Sequence, residues 1–441
     1  SVSNSYSNGL VSTERIEHPY MSEVKALFQD IKLTVKKVNE NSVVAEVANR
    51  AYFTPTSDYV LQWAYVNEQG VEFQRGERVI DVAPNASETV LLDKLELGNA
   101  QGEFFLNFKW YPIEDKGLVS KKHVVAEDQY VYNVEKPIFE DLTKLKKSDA
   151  LFEYDEAKGI MSNGRTIVTI SQETGAITSF RHERNEFLKS PIELSFYRPV
   201  TDNDMRDDNS AKLWKEIGLE STYQKLNSIS VVSKGKISTL DAKVTVYGKA
   251  NEALFDADIL YSFNYTGFVN IEVNLVPINE NVKSLARIGW TMQMGKAYEN
   301  IKYLGRNVES YPDRKQGGMV EIVKTKVNEM FYTYVNPQMT GDRADVRYVI
   351  ISDTNEHSGL FVKAEQPFSF SYAPFEDSVI DDAMHINELS ATLVNTLHID
   401  YELQGVGNGS SDSDHIIKVE PKKFSFTFIP FVGVGLRNIE L

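Results

Sequence analysis

The sequence contains no cysteine. That excludes disulfides, thiolate zinc centres and cysteine nucleophiles. It does not choose between a reducing and an oxidising compartment, so cytoplasm and periplasm both stay open. Long apolar runs are also missing. No stretch approaches the roughly 20 residues of a membrane span, and no membrane partner is expected. The opening Ser1 to Leu10 is polar and holds no signal-peptide core. A start at Ser-Val-Ser rather than Met is what a chain cut from a longer one would show. Positive charge is in deficit, with 47 Lys plus Arg against 63 Asp plus Glu and a formal net charge of −16. An acidic surface repels phosphate backbones, so no nucleic-acid partner is expected either. There is no glycine-rich phosphate loop, no zinc-type histidine spacing and no Gly-x-Ser-x-Gly elbow.

Apolar and aromatic residues are abundant. The 441 residues are 42% apolar, enough for a large core, and the 22 Tyr and 23 Phe favour strands over helices. One early helix is expected over Tyr20 to Ile31, where Val24, Leu27, Phe28 and Ile31 share a face behind Pro19. The period then falls to two. Ile31 to Val35, Val43 to Val47, Tyr59 to Tyr65, Val79 to Val82, Thr89 to Leu92, Phe104 to Trp110 and His123 to Tyr132 read as about seven short strands. That spacing argues for a small β-sandwich over residues 1–135. Residues 136–150, with Lys136-Pro137, Lys144, Lys146 and Lys147, break the rhythm and read as a linker. Residues 151–441 return to strands, including Thr166 to Ile170, Lys243 to Tyr247, Phe268 to Val273, Val346 to Ile351 and Phe424 to Phe431, with a short helix near Ala211 to Ile217. So many strands in one block call for a large two-sheet β-sandwich. The fold class is all-β.

Four stretches combine polar residues with aromatics or glycines. They are Phe196 to Asp204 with the acidic loop Met205 to Ser210 and Trp214; Gly305 to Arg314; Pro337 to Arg347; and Gly405 to Asp414. Each Asp/Arg group reads either as a buried ion pair or stapled turn, or as a polar site. Around Asp202-Asn203-Asp204 the aromatic faces, planar amides and carboxylates are the mixture that carbohydrate sites use. The Gly405 loop reads as a hairpin loop, a ligand-facing loop, or a weak calcium candidate through Asp412 and Asp414. A glycosidase pair of carboxyl groups about 5–10 Å apart leaves no trace in strand spacing.

Taken in order, these stretches resemble the C-terminal part of family 2 β-galactosidases, over nearly the whole chain. Gly9-Leu-Val…Arg15…His18-Pro19…Glu23-Val-Lys25 resembles the exit from that family's catalytic barrel. Asn49-Arg50…Phe53…Ser57-Asp58-Tyr59…Trp63 and His123 to Gln129 resemble its fourth, immunoglobulin-like domain. Phe196-Tyr-Arg198…Thr201 to Asp204…Trp214…Gly218-Leu219, Glu309…Tyr311 to Arg314, Pro337-Gln338…Gly341…Arg343…Asp345-Val-Arg347 and His385…Glu388-Leu389 resemble its fifth.

The resemblance implies an immunoglobulin-like sandwich followed by a large sandwich akin to galactose mutarotase. It implies hydrolysis of terminal β-galactosides by the full enzyme, with the catalytic glutamates and magnesium ligands on a β/α barrel. This chain lacks the barrel's alternating βα pattern. It would therefore carry no catalytic residue and no cofactor, while the full enzyme takes magnesium, with a monovalent cation as a further candidate. The implied partners are the barrel, a galactoside substrate and further copies of the enzyme in a homo-oligomer. The resemblance places Asp202, Asn203, Asp204, Arg206, Asn408 and Asp412 on the substrate-pocket rim. Two departures stand out. Arg206 and Asp207 stand where the family has a glycine soon after Asp-Asn-Asp. Asp412 matches the position of a sugar-stacking tryptophan, which implies another aromatic in that role or an aglycone preference other than plain lactose. Other readings are a natural small subunit, a free carbohydrate-binding module and, from fold analogy alone, an aldose epimerase.

Overall fold

The computed structural model describes residues 9–39, 41–98, 100–134, 151–205, 210–234, 237–264, 267–390, 392–407 and 415–433. The expected linker 136–150 lies outside them. The described chain forms two compact units, and neither is one contiguous run. Residues 316–322 belong with the unit built from residue 20 onward, and residues before 20 belong with the unit built from 151 onward.

In the smaller unit a helix, α1 (Met21–Phe28), precedes seven strands: β1 (Ile31–Val38), β2 (Ser42–Asn49), β3 (Tyr59–Asn67), β4 (Glu72–Arg78), β5 (Ala86–Asp93), β6 (Gly102–Pro112) and β7 (Ala126–Val134). They make a three-stranded sheet, β1-β2-β5, and a four-stranded sheet, β4-β3-β6-β7, all pairs antiparallel. Alternation assigns the core. Val43, Ala45 and Val47 of β2 face Leu61, Trp63 and Tyr65 of β3 and Leu106, Phe108 and Trp110 of β6 in one buried cluster. Each such large side chain removed from water contributes ~1.5–3 kcal/mol. Gly76 of β4 pairs with Trp63, and a Cβ there would stand 2.2 Å from the indole, so this strand position admits no side chain.

Two expectations need correction. The helix stops at Phe28, buries none of its residues, and leaves Leu27 and Phe28 53% and 81% exposed, while Ile31 is buried as the first residue of β1. The apolar period runs on across a junction at which Gln29 is already extended. Val79 to Val82 is not a strand. Ile80 and Val82 enter the core from irregular chain because the Thr56 hydroxyl donates to Ile80 O (2.6 Å) and accepts from Val82 N (2.8 Å). The strand at that point is β4, just upstream.

The larger unit is a sandwich of unequal sheets. The five-stranded sheet runs β12-β11-β10-β9-β8, from β8 (Glu153–Asp155), β9 (Ile160–Ser162), β10 (Thr166–Ile170), β11 (Ile177–His182) and β12 (Asn185–Glu186). The other is twelve-stranded, from β13 (Glu193–Ser195), β14 (Tyr223–Lys234), β15 (Ile237–Tyr247), β16 (Ala253–Asn264), β17 (Val269–Pro277), β18 (Arg287–Gly295), β19 (Asn300–Arg306), β20 (Val320–Lys326), β21 (Arg343–Ser352), β22 (Ser358–Ala373), β23 (Val394–Leu403) and β24 (Lys422–Val432). One apolar cluster joins the sheets, with Val168, Ile170 and Phe180 on one side and Ile259, Ile271 and Phe428 on the other. The expected short helix is α2 (Ser210–Ile217), with Ala211 and Trp214 turned inward. The molecule is all-β, as its alternation and aromatic content require.

Candidate functional site

The four polar stretches come together in the larger unit. Their common floor is a small apolar cluster of Tyr311, Met339, Leu403 and Val406, with residues from three of the stretches. Tyr311 and Arg314 exchange backbone hydrogen bonds of 3.0 and 2.9 Å, so Tyr-Pro-Asp-Arg is a tight turn. That turn presents Asp313 and Arg314 to the root of the Gly405 loop. The Asp313 carboxylate accepts from Val406 N (3.1 Å) and Gly407 N (2.9 Å). Arg314 Nη2 donates to Gly407 O (2.6 Å), and Asn203 Nδ2 donates to Val406 O (3.0 Å) and Gly407 O (3.2 Å). The backbone of two consecutive residues is thus gripped by three side chains from two other segments. Those made by Asp313 and Arg314 are charge-assisted and worth roughly twice neutral ones.

The third stretch closes the ring. Asp202 N donates to Gln338 Oε1 (3.2 Å), and Asn336 Nδ2 reaches Asp202 Oδ1 (3.4 Å). Glu309 accepts from Thr340 Oγ1 (2.6 Å) and Gly341 N (2.7 Å). Gly341 is left-handed, at φ +85°, with a would-be Cβ 2.7 Å from Met330 O, so only glycine fits this turn. Asp345 accepts from Arg306 and Lys315, each at 2.8 Å. Burial pushes its carboxyl up, but the Lys315 hydrogen bond and the charges of Arg306 and Lys315 outweigh this and hold it below the usual range.

The members of Asp202-Asn203-Asp204 play different parts. Asp204 is buried and takes a bidentate pair from Arg198, 2.6 and 3.0 Å, while also accepting from Thr201 N (2.7 Å) and Thr201 Oγ1 (2.8 Å). It staples the turn, with its carboxylate engaged by Arg198 and Thr201. Arg198 lies over the Trp214 ring at 5.2 Å, so α2 is fixed to the same turn. Asp202 and Asn203 are part-buried beside the Gly407 root. Arg206, Asn408 and Asp412 lie outside the described residues. His385 and Glu388 are not drawn into the cluster. Glu388 caps its own turn at Met384 N (2.7 Å) and pairs with His385 at 3.1 Å.

Sequence reasoning missed Asp381, which accepts from Val200 N (3.0 Å) and from the Tyr197 hydroxyl. It comes from α4 (Asp377–Asp382), which follows α3 (Val327–Met330), and nothing local marks it as a partner of residue 200. Behind the site sits a buried ionic layer: Arg287 with Asp400 (3.5 Å), Asp342 beside them, and His398 Nε2 on Asp377 Oδ1 (3.0 Å). Burial, then the Asp400 carboxylate, pushes Asp342 well above the usual carboxylate range. Among the described residues no group of three or more His, Cys, Asp or Glu is arranged to hold a metal ion. No helix among them is long and apolar enough to cross a membrane.

Such a scaffold of interlocked loops on a large β-sandwich has counterparts. Residues 162–429 match the family described as "Beta galactosidase small chain", and residues 45–133 match "Beta-galactosidase, domain 4". The first match spans more than half of the sequence, and the chain belongs to the β-galactosidase small-chain family. It is 25% identical to a β-galactosidase of Pseudoalteromonas haloplanktis over 97% of this chain and 42% of that protein. It is 25% identical to one of Priestia megaterium over 92% and 38%, and 28% identical to one of Lactobacillus delbrueckii subsp. bulgaricus over 87% and 36%. The chain thus spans about two fifths of the length of these relatives. A galactose 1-epimerase structure from Lactobacillus acidophilus NCFM aligns with 64% of this chain and 98% of its own at 8% identity, and its TM-score of 0.34 is too low to support any argument.

Proposed function

We propose that this chain is the non-catalytic C-terminal part of a β-galactosidase, which hydrolyses terminal β-D-galactosides through a catalytic barrel outside this sequence. Its role is to support that barrel and to supply part of the substrate-pocket rim from the loop rooted at Gly407 and from Asp202 and Asn203. The carrying observation is the grip of Asn203, Asp313 and Arg314 on Val406 and Gly407. A loop that only joined two strands would need no such anchoring, whereas one that meets a substrate must be held in place. Magnesium and any monovalent cation belong with the barrel in this reading. The assembled enzyme would be a homo-oligomer.

The test is complementation. The isolated chain should show no turnover of a chromogenic β-galactoside, and mixing it with the barrel-bearing segment of the same enzyme should restore activity. Turnover by the isolated chain would overturn the non-catalytic reading. A correctly assembled mixture without activity would overturn the assignment to a β-galactosidase. A second arrangement, in which this chain is a separate subunit of a two-chain enzyme, is favoured by the family's description as a small chain. Gel filtration of the native enzyme, followed by denaturing electrophoresis, distinguishes one long chain from two.

A further inference from the structure

Away from the Gly407 cluster, the larger unit carries a cleft of about 640 Å³ on the outward face of β19 and β21. This lies within the usual size range of small-ligand sites. Strand register builds its floor. Asn300 pairs with Ser352 and Lys302 with Ile350, and the two-residue repeat puts all four on one face, opposite the core residues Ile301, Tyr303, Val349 and Ile351. The stretch 324–326 forms one wall and brings Lys324 alongside Lys302; the turn before β22 forms the other and brings His357.

The charges here are unusual for so acidic a protein. Lys326 is answered by Glu299 at 3.2 Å, and Glu329 is occupied with Thr325 Oγ1 (2.9 Å) and Lys326 N (3.1 Å). Among the described residues, neither the Lys302 nor the Lys324 ammonium makes a hydrogen bond or ion pair. They instead repel each other, with Glu356 as the balancing charge on Lys302. Lys302 is half-buried, and burial followed by the Lys324 charge pulls it below the ordinary lysine value. Glu356 also lines the cleft, yet among the described residues neither ammonium reaches a carboxylate within ion-pair distance, so two adjacent lysines, Lys302 on the floor and Lys324 on the wall, keep their donors open to a further counter-charge.

We propose that this cleft binds an oxyanion, the sulfate, phosphate or carboxylate group of a small ligand, between Lys302 and Lys324. Ser352, Asn300 and His357 line the same space and supply further hydrogen-bonding groups. Anion binding here stands independently of galactoside hydrolysis.

The test is isothermal titration of the full chain with inorganic sulfate and inorganic phosphate at constant ionic strength, with chloride and neutral galactose as controls. Saturable one-site binding of the oxyanions over chloride is expected. Lys302→Met should weaken it about tenfold or more, as for loss of one charge-assisted bond. Lys302→Arg should keep it, and Lys324→Glu, at an exposed position that tolerates exchange, should abolish it. A sulfated galactoside bound about tenfold more tightly than free sulfate would make the ligand a charged sugar; equal affinity would make it the free anion. No saturable binding, or binding that Lys302→Met and Lys324→Glu leave unchanged, would overturn the site.

Discussion

In the smaller unit Leu61, Trp63, Phe108 and Trp110 fill an interior made by strand alternation, and its buried Asp128 is held by close neighbours in the same sandwich: Lys32 at 2.5 Å, Leu33 N at 2.7 Å and Gln29 at 3.2 Å. In the larger unit an equally apolar core is backed by Arg198 with Asp204, Arg287 with Asp400 and Asp342, and His398 with Asp377, and the loops around them join segments some 200 residues apart. The first arrangement is repetitive and needs only the right period. The second rests on specific charges, each of which becomes costly when its partner is removed. Mutations should therefore discriminate sharply between the two.

The largest effect is expected at Arg198. Arg198→Met leaves Asp204 buried opposite an apolar side chain and should cost about 3–5 kcal/mol in urea unfolding followed by tryptophan fluorescence. Adding Asp204→Leu should recover most of that loss, since the residual charge is then gone. A double variant as unstable as the single would mean that the pair matters through shape rather than charge, and the contrast with the smaller unit would fail. Next comes the loop root. Asp313→Ala removes the charged acceptor of two backbone N–H groups, an expected local cost of about 2–3 kcal/mol. Amide exchange at Val406 and Gly407 should speed up by about 30-fold or more, with β3 and β6 unchanged. Unchanged exchange at Gly407 would show that Arg314 and Asn203 suffice.

The same contrast explains what could be read from the sequence. Thr166 to Ile170 emerges as a strand with the bounds its alternation marks, and Phe104 to Trp110 lies wholly within β6, because a period of two is a local property. Ile80 and Val82 were misread because a side-chain hydroxyl 24 residues away from Ile80, on Thr56, satisfies the backbone that a strand partner would otherwise bond. At the site, the stretches 202–204, 311–314, 337–347 and 405–407 stand out by composition, but their meeting depends on turns and chain topology. Asp204 and Asn203, adjacent in sequence, point to different tasks, one inward to Arg198 and one across to Gly407. No sequence spacing separates those roles. Asp381 carries no local signal at all.

The acid side offers a smaller test within the larger unit. His182 of β11 is buried against Thr166 Oγ1 at 2.7 Å. Burial, helped by the nearby Arg165, pushes it down to about 4 from an ordinary 6.5. A base depressed in this way stabilises the fold fully above its unfolded value and loses that contribution as pH falls from about 6.5 towards 4. The swing should reach roughly 2 kcal/mol. His182→Gln should remove it, so that melting temperature between those limits becomes flatter than in the unmodified protein. An unchanged slope would place the acid sensitivity of this range in another group.

The smallest expected effect sharpens the comparison most, because its sign differs between two neighbouring carboxylates. Asp342 is fully buried, and burial together with Asp400 holds it well above the usual carboxylate range against the weaker opposing pull of Arg287 and Arg343. An acid raised in the fold contributes stability that is complete below its unfolded value and is lost as pH rises through its folded value. Asp342→Asn keeps the shape and removes that loss, so it should stabilise the protein by about 1 kcal/mol at about pH 8 and change little near pH 4. Burial raises Asp400 as well, but against the opposing charge of Arg287 at 3.5 Å; Asp400→Asn should act in the opposite direction at neutral pH, because Arg287 would lose its counter-charge inside the fold. If both variants destabilise at every pH, Asp342 is ionised alongside Asp400, and the buried layer is a two-carboxylate cage around Arg287 rather than one ion pair with a neutral acid beside it.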